Sequence, residues 1–271
     1  MYVVFLVPLT QCTKNRALPI SGIAHANGEK MSRPAAQAFL CRALGIEFPY
    51  VKMGKIDSLD LFGPSELMIL EIYQRNATRW HKVLDIGGNL GLHSILMGKL
   101  CWEVMTYEPD HAHFLQLTAN LEANGIKTVT PCMAAVHTEN GHARFVRVLD
   151  NLTGNHLVGY KDSYGPREEV LVQTVDCRPL FDWADFAKID CEGNEADILL
   201  TTTAKQMSHL SCVVEVRNEE NARLLFDHFS RLGVPLWSQK IGWEKARTVA
   251  DMPHMNREGS IFIGHEGPGI K

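Results

Sequence analysis

The residues with the sharpest chemical content form the run Val83-Leu84-Asp85-Ile86-Gly87-Gly88-Asn89-Leu90-Gly91. An apolar segment ends on an acid, turns through glycines and enters a helical pattern, the signature of strand, loop and helix start. Glycines let the backbone come close to a ligand, and the following helix N-terminus offers free N–H groups and a positive dipole end. The methionine carboxylate of S-adenosylmethionine would suit that place. A dinucleotide fingerprint needs glycines at its first, third and sixth positions, and counted from Gly87 those positions hold Gly87, Asn89 and Leu92. The nicotinamide or flavin reading fails on this spacing, and a phosphate loop fails because no Gly-Lys-Ser/Thr follows.

Two further acidic positions join the loop. Glu108 closes Met105-Thr106-Tyr107-Glu108-Pro109, 23 residues beyond Asp85. In open α/β sheets an acid roughly 20 residues past the first loop accepts hydrogen bonds from ribose hydroxyls. Alone it would pass for a helix cap; beside the glycine loop it reads as a nucleoside ligand. The run Lys188-Ile189-Asp190-Cys191-Glu192-Gly193-Asn194-Glu195 repeats the strand-to-helix pattern and sets Asp190 and Glu192 at a strand's carboxyl end, the rim where ligands bind. Asn194 also fits a helix cap and Glu195 the first-turn dipole, so Lys188 and Glu195 fit structural roles as well as functional ones.

Together these residues suit a cationic, nucleoside-bearing methyl donor. Transfer from a sulfonium needs the acceptor atom held in line with the S–methyl bond, and a base to take the hydroxyl proton. The candidate bases are Asp190, Glu192, Lys188 if burial lowers its pKa, and His93 inside the loop's helix, where a packing role is commoner. Asp190 and Glu192 also carry the hard oxygens that would hold a divalent cation to orient and acidify a diol. Both readings stay open in the sequence, whose histidines show no H-E-x-x-H spacing. Trp183, Trp237 and Trp243 would serve for stacking on a substrate, although ordinary packing explains each of them taken singly.

Such residues need a parallel sheet to hold them. Short apolar runs alternate with helical patterns: strands are expected at Lys82 to Ile86, Glu103 to Tyr107, Lys127 to Pro131, Phe186 to Ile189 and Ser211 to Val216. Helices are expected at Leu90 to Leu100, His111 to Asn124, Asn194 to Thr203 and Glu219 to Leu232, with Asn124-Gly125 as an αL stop. Phe145 to Val148 and Val170 to Val175 break the rhythm as antiparallel strands or an insertion, and Ser260 to Gly264 suits a final antiparallel edge strand. Upstream, Ser32-Arg33-Pro34 starts a helix ending near Gly45, and a second helix covers Pro64 to Gln74. The expected fold is a doubly wound, mostly parallel α/β sheet over residues 66–271. Residues 1–65 form an N-terminal extension that covers the substrate.

In this order the motifs resemble the FkbM-type methyltransferases over about half the chain. The resemblance runs from Val83 to Val216 through the glycine loop, Tyr107-Glu108-Pro109, Asn120, Asn124-Gly125, Ala134-Ala135-Val136, Asn140-Gly141, Val172 to Asp176, Lys188 to Glu195 and Val214-Glu215-Val216. It implies a class I methyltransferase fold, S-adenosylmethionine as donor, and most often O-methylation of a sugar or natural-product hydroxyl. Carried over residue by residue, it adds Ala135 to Asp85, Gly87, Gly88, Asn89, Gly91 and Glu108 on the cofactor side. Gly88 stands where that family usually has Ala, and Cys191 where a β-branched residue commonly precedes the Glu.

Composition narrows the partners. Lys plus Arg number 27 against 31 Asp plus Glu in 271 residues, a net charge of -4, so no global positive field draws the chain to phosphate backbones. A small hydroxyl-bearing molecule is the expected acceptor; a nucleic-acid 2'-O-methyltransferase and a non-catalytic cofactor-binding module are the rival readings. Seven cysteines without a C-x-x-C pair read as thiols, mostly buried, of a reduced cytoplasm. The apolar run Tyr2 to Leu9 lacks a basic flank and is too short to span a bilayer, so it reads as a strand or docking segment.

Overall fold

The computed structural model describes residues 31–160, 165–255 and 258–270, with the backbone of two short antiparallel strands, Phe5–Leu6 and Leu18–Pro19. The strand expected in Tyr2 to Leu9 is met at Phe5–Leu6; the rest of that run and Cys12 lie outside the described residues.

The chain enters through α1 (Arg33–Leu44) and α2 (Pro64–Arg75), then alternates β1 (Lys82–Ile86), α3 (Leu92–Lys99), β2 (Glu103–Tyr107), α4 (His111–Ala123) and β3 (Val129–Cys132). A smaller layer follows: β4 (Ala135–His137), β5 (Gly141–Val148), β6 (His156–Leu157) and β7 (Arg167–Asp176). The main sheet resumes with α5 (Cys177–Trp183), β8 (Phe186–Ile189), α6 (Glu195–Leu199), α7 (Ala204–Met207), β9 (Ser211–Glu215), α8 (Glu219–Leu232), β10 (Leu236–Ser238), β11 (Glu244–Lys245) and β12 (Ser260–Ile263).

Eight strands form the main sheet in the order β11-β10-β12-β9-β8-β1-β2-β3. The five from β9 to β3 are parallel, and β12 runs antiparallel between β9 and β10. The chain winds outward from β1 to β3 and returns on the other side of β1 at β8, so strand order reverses between β1 and β8. A cleft outside the carboxyl ends is expected there. The α/β doubly wound fold read from the sequence is the observed one.

Alternation along the strands divides the core. Val83, Val104, Phe186, Val213 and Phe262 face one side with Tyr73, Trp80 and Trp102, where Trp80 and Phe186 stack with ring centroids 4.0 Å apart. Leu84, Ile86, Ala187, Ile189, Cys212 and Val214 face the other side, under α5 to α8. Leu40, Leu44, Phe48, Met53 and Phe62, all upstream of α2, belong to the first of these cores.

Two expectations change and a third, the antiparallel pair after Ala143, is met. The helix expected from Asn194 to Thr203 stops at Leu199, where the Thr201 and Thr202 hydroxyls donate to the Ile198 and Leu199 carbonyls at 2.6 Å, and Thr203 caps the separate α7 beyond the expected span. The strand Ser260–Ile263 is interior, not an edge: Leu236–Ser238 pairs outside it, and all four of its residues are buried. The two β-prone runs after Ala143 pair antiparallel as β5 and β7 in a separate four-stranded sheet, order β6-β5-β7-β4. Among the described residues no helix is long and apolar enough to cross a membrane.

Candidate active site at the strand switch point

At the reversal of strand order the structure has a cleft of about 300 Å³, floored by the ends of β1, β2, β8 and β9. The glycine loop shapes it. Gly87 turns at φ +83°, and a Cβ there would lie 1.8 Å from the Asp190 carbonyl oxygen, so only glycine lets the first loop seat against the β8 end. A Cβ at Gly88 would meet Thr106 Oγ1 at 2.5 Å, and Gly91, at φ +86°, is the N-cap of α3. Asp85 stands beneath this loop, fully buried, accepting from Ser94 Oγ at 2.5 Å with its other oxygen 3.7 Å from Lys188 Nζ. Asp85 and Gly91 therefore support the loop from below, while Gly87 and Asn89 line the cleft. Gly87, Gly88, Asn89, Lys188 and His93 line a smaller adjoining hollow of about 90 Å³.

Glu108 ends the strand β2 beside the loop. It is 5% exposed, and its two oxygens accept the backbone N–H groups of Asn89 and Asp110, both at 2.8 Å. Burial pushes its pKa up to about 7, against these hydrogen bonds, which favour the charged form. Asn89 Oδ1 and His113 Nε2 are shut off from solvent with no hydrogen-bond partner among the described residues. Both residues line the cleft with Glu108, and Ala135 borders the same space. Buried polar groups are normally satisfied, and two such atoms on cleft residues beside a carboxyl suit a site that takes a polar ligand. A ribose with hydroxyls toward Glu108 and a base toward His113 would satisfy them.

The other end of the cleft is ionic. Arg217 donates from Nη2 to Asp190 at 3.1 Å and to Glu215 at 2.6 Å, and its Nη1 lies 2.9 Å from Glu192. Glu192 occupies the left-handed region at φ +64°, a conformation costly for a non-glycine residue and commonest at functional sites. Asp190 also lies 3.6 Å from Lys188, whose Nζ donates to the Gly87 carbonyl at 3.1 Å. Burial opposes the Asp190 charge, but Lys188 and Arg217 overcome it and hold this carboxyl below the usual range. Burial likewise opposes the Lys188 charge, and Asp190 and Asp85 overcome it, so its pKa is raised. The condition under which Lys188 could act as a base, a lowered pKa, is not met.

The remaining candidates find structural places. Glu195 is buried and accepts the N–H groups of Cys191 and Gly193 at 3.0 and 3.1 Å, fixing the turn that carries Glu192. His93 bridges the Tyr73 hydroxyl at 2.9 Å and Glu66 at 3.0 Å. None of the three tryptophans lines the cleft: Trp243 is buried, and Trp183 and Trp237 face Lys82 and Lys245. Among the described residues, no group of three or more His, Cys, Asp or Glu could hold a metal ion. Six described cysteines are free; Cys41, Cys177 and Cys212 are buried and Cys101 is exposed.

Sequence reasoning missed Arg217 and His113, and it used Glu215 only as a strand end. It set residues 1–65 over the substrate without naming Asp60 or Leu61, and it missed the second stretch of the roof. Asp60 and Leu61 from one segment, and Asn151, Thr153 and Asn155 from another, line the cleft from above. The two segments meet at a bridge between Gly54 and Asn151, with Lys55 N–H donating to the Asp150 carbonyl at 2.7 Å. Asp57 anchors the first segment by accepting from Arg33 at 2.7 and 2.8 Å and from the Tyr50 hydroxyl at 2.6 Å. No sequence pattern announces a roof built from two distant stretches.

The fold and cleft define a class: a doubly wound α/β protein with a nucleoside-sized, acid-lined site at its switch point. Solved structures similar to the chain include methyltransferases. Precorrin-6y C5,15-methyltransferase from Geobacter metallireducens is 12% identical, with 73% of this chain and 86% of that one covered and a TM-score of 0.38. The METTL16 MTase domain is 11% identical over 86% of this chain and 79% of its own, TM-score 0.48. The human methyltransferase 10 domain containing protein is 12% identical over 86% and 97%, TM-score 0.43. No family model matches the sequence, and no curated protein matches it.

Proposed function

We propose that the protein is an S-adenosylmethionine-dependent methyltransferase acting on a hydroxyl of a sugar or other small natural product. The observation that carries this reading is the division of one cleft into a nucleoside end and an acidic end. Glu108, with the unsatisfied Asn89 Oδ1 and His113 Nε2, forms the first; Asp190, Glu192 and Glu215 form the second. The donor supplies an electrophilic methyl carbon on a positively charged sulfur. Gly87, Asn89, Glu108 and Ala135 hold it in this reading, shaped from beneath by Asp85, Gly88 and Gly91. Glu192 and Asp190 belong to the reaction centre, with Lys188 as the fixed positive charge that orders Asp190. The hydroxyl acceptor rests on the ordered motifs from Val83 to Val216, which resemble the FkbM-type enzymes.

Titration calorimetry with S-adenosylhomocysteine tests the cofactor. Wild-type protein should bind it, and Glu108→Ala should weaken binding roughly ten- to a hundredfold, as charged hydrogen bonds worth roughly 1.5 to 3 kcal/mol are lost. Absence of wild-type binding, or unchanged affinity in a folded variant, overturns the reading.

A further inference from the structure

Around the β8 and β9 ends, acids outnumber cations. Asp85, Asp190, Glu192, Glu195 and Glu215 surround Lys188 and Arg217, and both cations are nearly buried. Uncompensated buried charge is expensive, and such a site sheds it by binding protons or by binding a cation. Two of the carboxyls compete for one donor: Asp190 Oδ1 and Glu215 Oε2 both reach Arg217 Nη2. Carboxyls in such an arrangement cannot both stay charged cheaply, and one keeps a proton. Asp190 has Lys188 as a second cation at 3.6 Å; the ion pair of Glu215 is with Arg217, which three carboxyls share, and Lys188 lies farther from it.

We infer that Glu215 holds a proton in the free protein and releases it when a cationic ligand enters the cleft, becoming the proton acceptor for the hydroxyl being methylated. The inference rests on the cofactor reading above. Glu215 lines the same cleft as Glu108 and Asp190, so a positive sulfur bound there faces it. The groups around Glu215 come from every neighbouring element: Asp190 and Lys188 from β8 and its end, Glu192 from the turn, Arg217 beyond β9, Ser260 opposite on β12, and Glu66 from α2. Burial, followed by the Asp190 charge, pushes the Glu215 carboxyl well above the usual carboxylate range, and Arg217 does not offset them. Glu195 is pushed up by burial too, but it does not border the cleft and has no view of the ligand.

The chemistry balances. A lone pair of the acceptor oxygen forms the new O–C bond, the C–S pair returns to sulfur as a neutral thioether, and the hydroxyl proton passes to the Glu215 carboxylate. A base that exists only when the positive donor is present does not deprotonate acceptors idly. After transfer the ligand is neutral, and the protonated Glu215 matches it.

The experiment compares proton release on binding S-adenosylmethionine and S-adenosylhomocysteine, by calorimetry at pH 7 in buffers of different ionisation enthalpy. Both ligands face Glu108 and His113 alike, so the difference isolates the sulfonium. Wild-type protein should release up to about one more proton with S-adenosylmethionine, and Glu215→Gln should bind both ligands with no difference. Equal proton release by the two ligands in wild-type protein overturns the inference, whether or not the variant folds, and so does an undiminished difference in Glu215→Gln. Failure of both ligands to bind overturns the cofactor reading itself, and this inference with it.

Discussion

Glu108 is asked to stay charged where burial favours its neutral form. Its pKa near 7 exceeds that of an unfolded glutamate, so the folded state binds the extra proton between about pH 4.5 and 7. The sign follows directly: a raised acid makes the fold more stable at low pH, and that advantage is lost as pH rises through 7. The loss amounts to roughly 3 kcal/mol for this group. Wild-type protein and Glu108→Gln, compared by denaturant titration between pH 4.5 and 8, should therefore diverge, the variant losing less stability as pH rises. Parallel pH profiles would count against a raised Glu108. At the other end of the cleft, Glu192→Gln keeps an oxygen for Arg217 and removes the charge. Turnover should fall by orders of magnitude with little change in melting temperature, and full activity would move the reaction centre elsewhere.

At the scale of elements, Asp110 couples the Glu108 side of the cleft to the small sheet. Its Oδ1 accepts the N–H groups of Ala112 and His113 at the start of α4, at 2.8 and 3.0 Å, and its Oδ2 accepts from Arg147 at 2.6 Å and Asn155 at 3.3 Å. Asp110→Ala should lose the cap, worth roughly 1 kcal/mol, and a buried charged pair besides. Hydrogen exchange should then quicken across 149–157 as well as in the first turn of α4; exchange confined to α4 would show that the two are not coupled. The parallel strands and the loop were legible in the sequence because strand, acid, glycine and helix follow one another locally. That Glu108, Asp190 and Glu192 stand at strand ends around one cleft was legible by spacing; their roles belong to the proposed function. Arg217 and His113 were not, since neither follows a glycine turn and each matters only through partners brought in by the sheet. Glu195 reads in the sequence as a first-turn acid of its helix; it stands there, and it also fixes the preceding turn from the interior, a burial that one sequence does not display. Ser260–Ile263 read as an edge because Leu236–Ser238, which shields it, is too short to announce itself.

Across the whole molecule, charge bears on the choice of partner. The net charge of -4 and the acidic end of the cleft oppose a polyanion. Binding to RNA or DNA, measured by filter retention between 50 and 200 mM salt, should stay weak and show no steep salt slope; tight, salt-sensitive binding with methyl incorporation would make nucleic acid the acceptor. The architecture bears on how such a protein changes over generations. The glycine loop is tightly seated, since a Cβ at Gly87 would collide with the Asp190 backbone and one at Gly88 with the Thr106 and Leu117 side chains, whereas the roof is two surface segments joined by a small bridge. Substitutions at Asp60 or Thr153 leave the sheet and the glycine loop untouched, so under the proposed function lineages descended from this chain are free to trade one acceptor for another while inheriting the donor site intact.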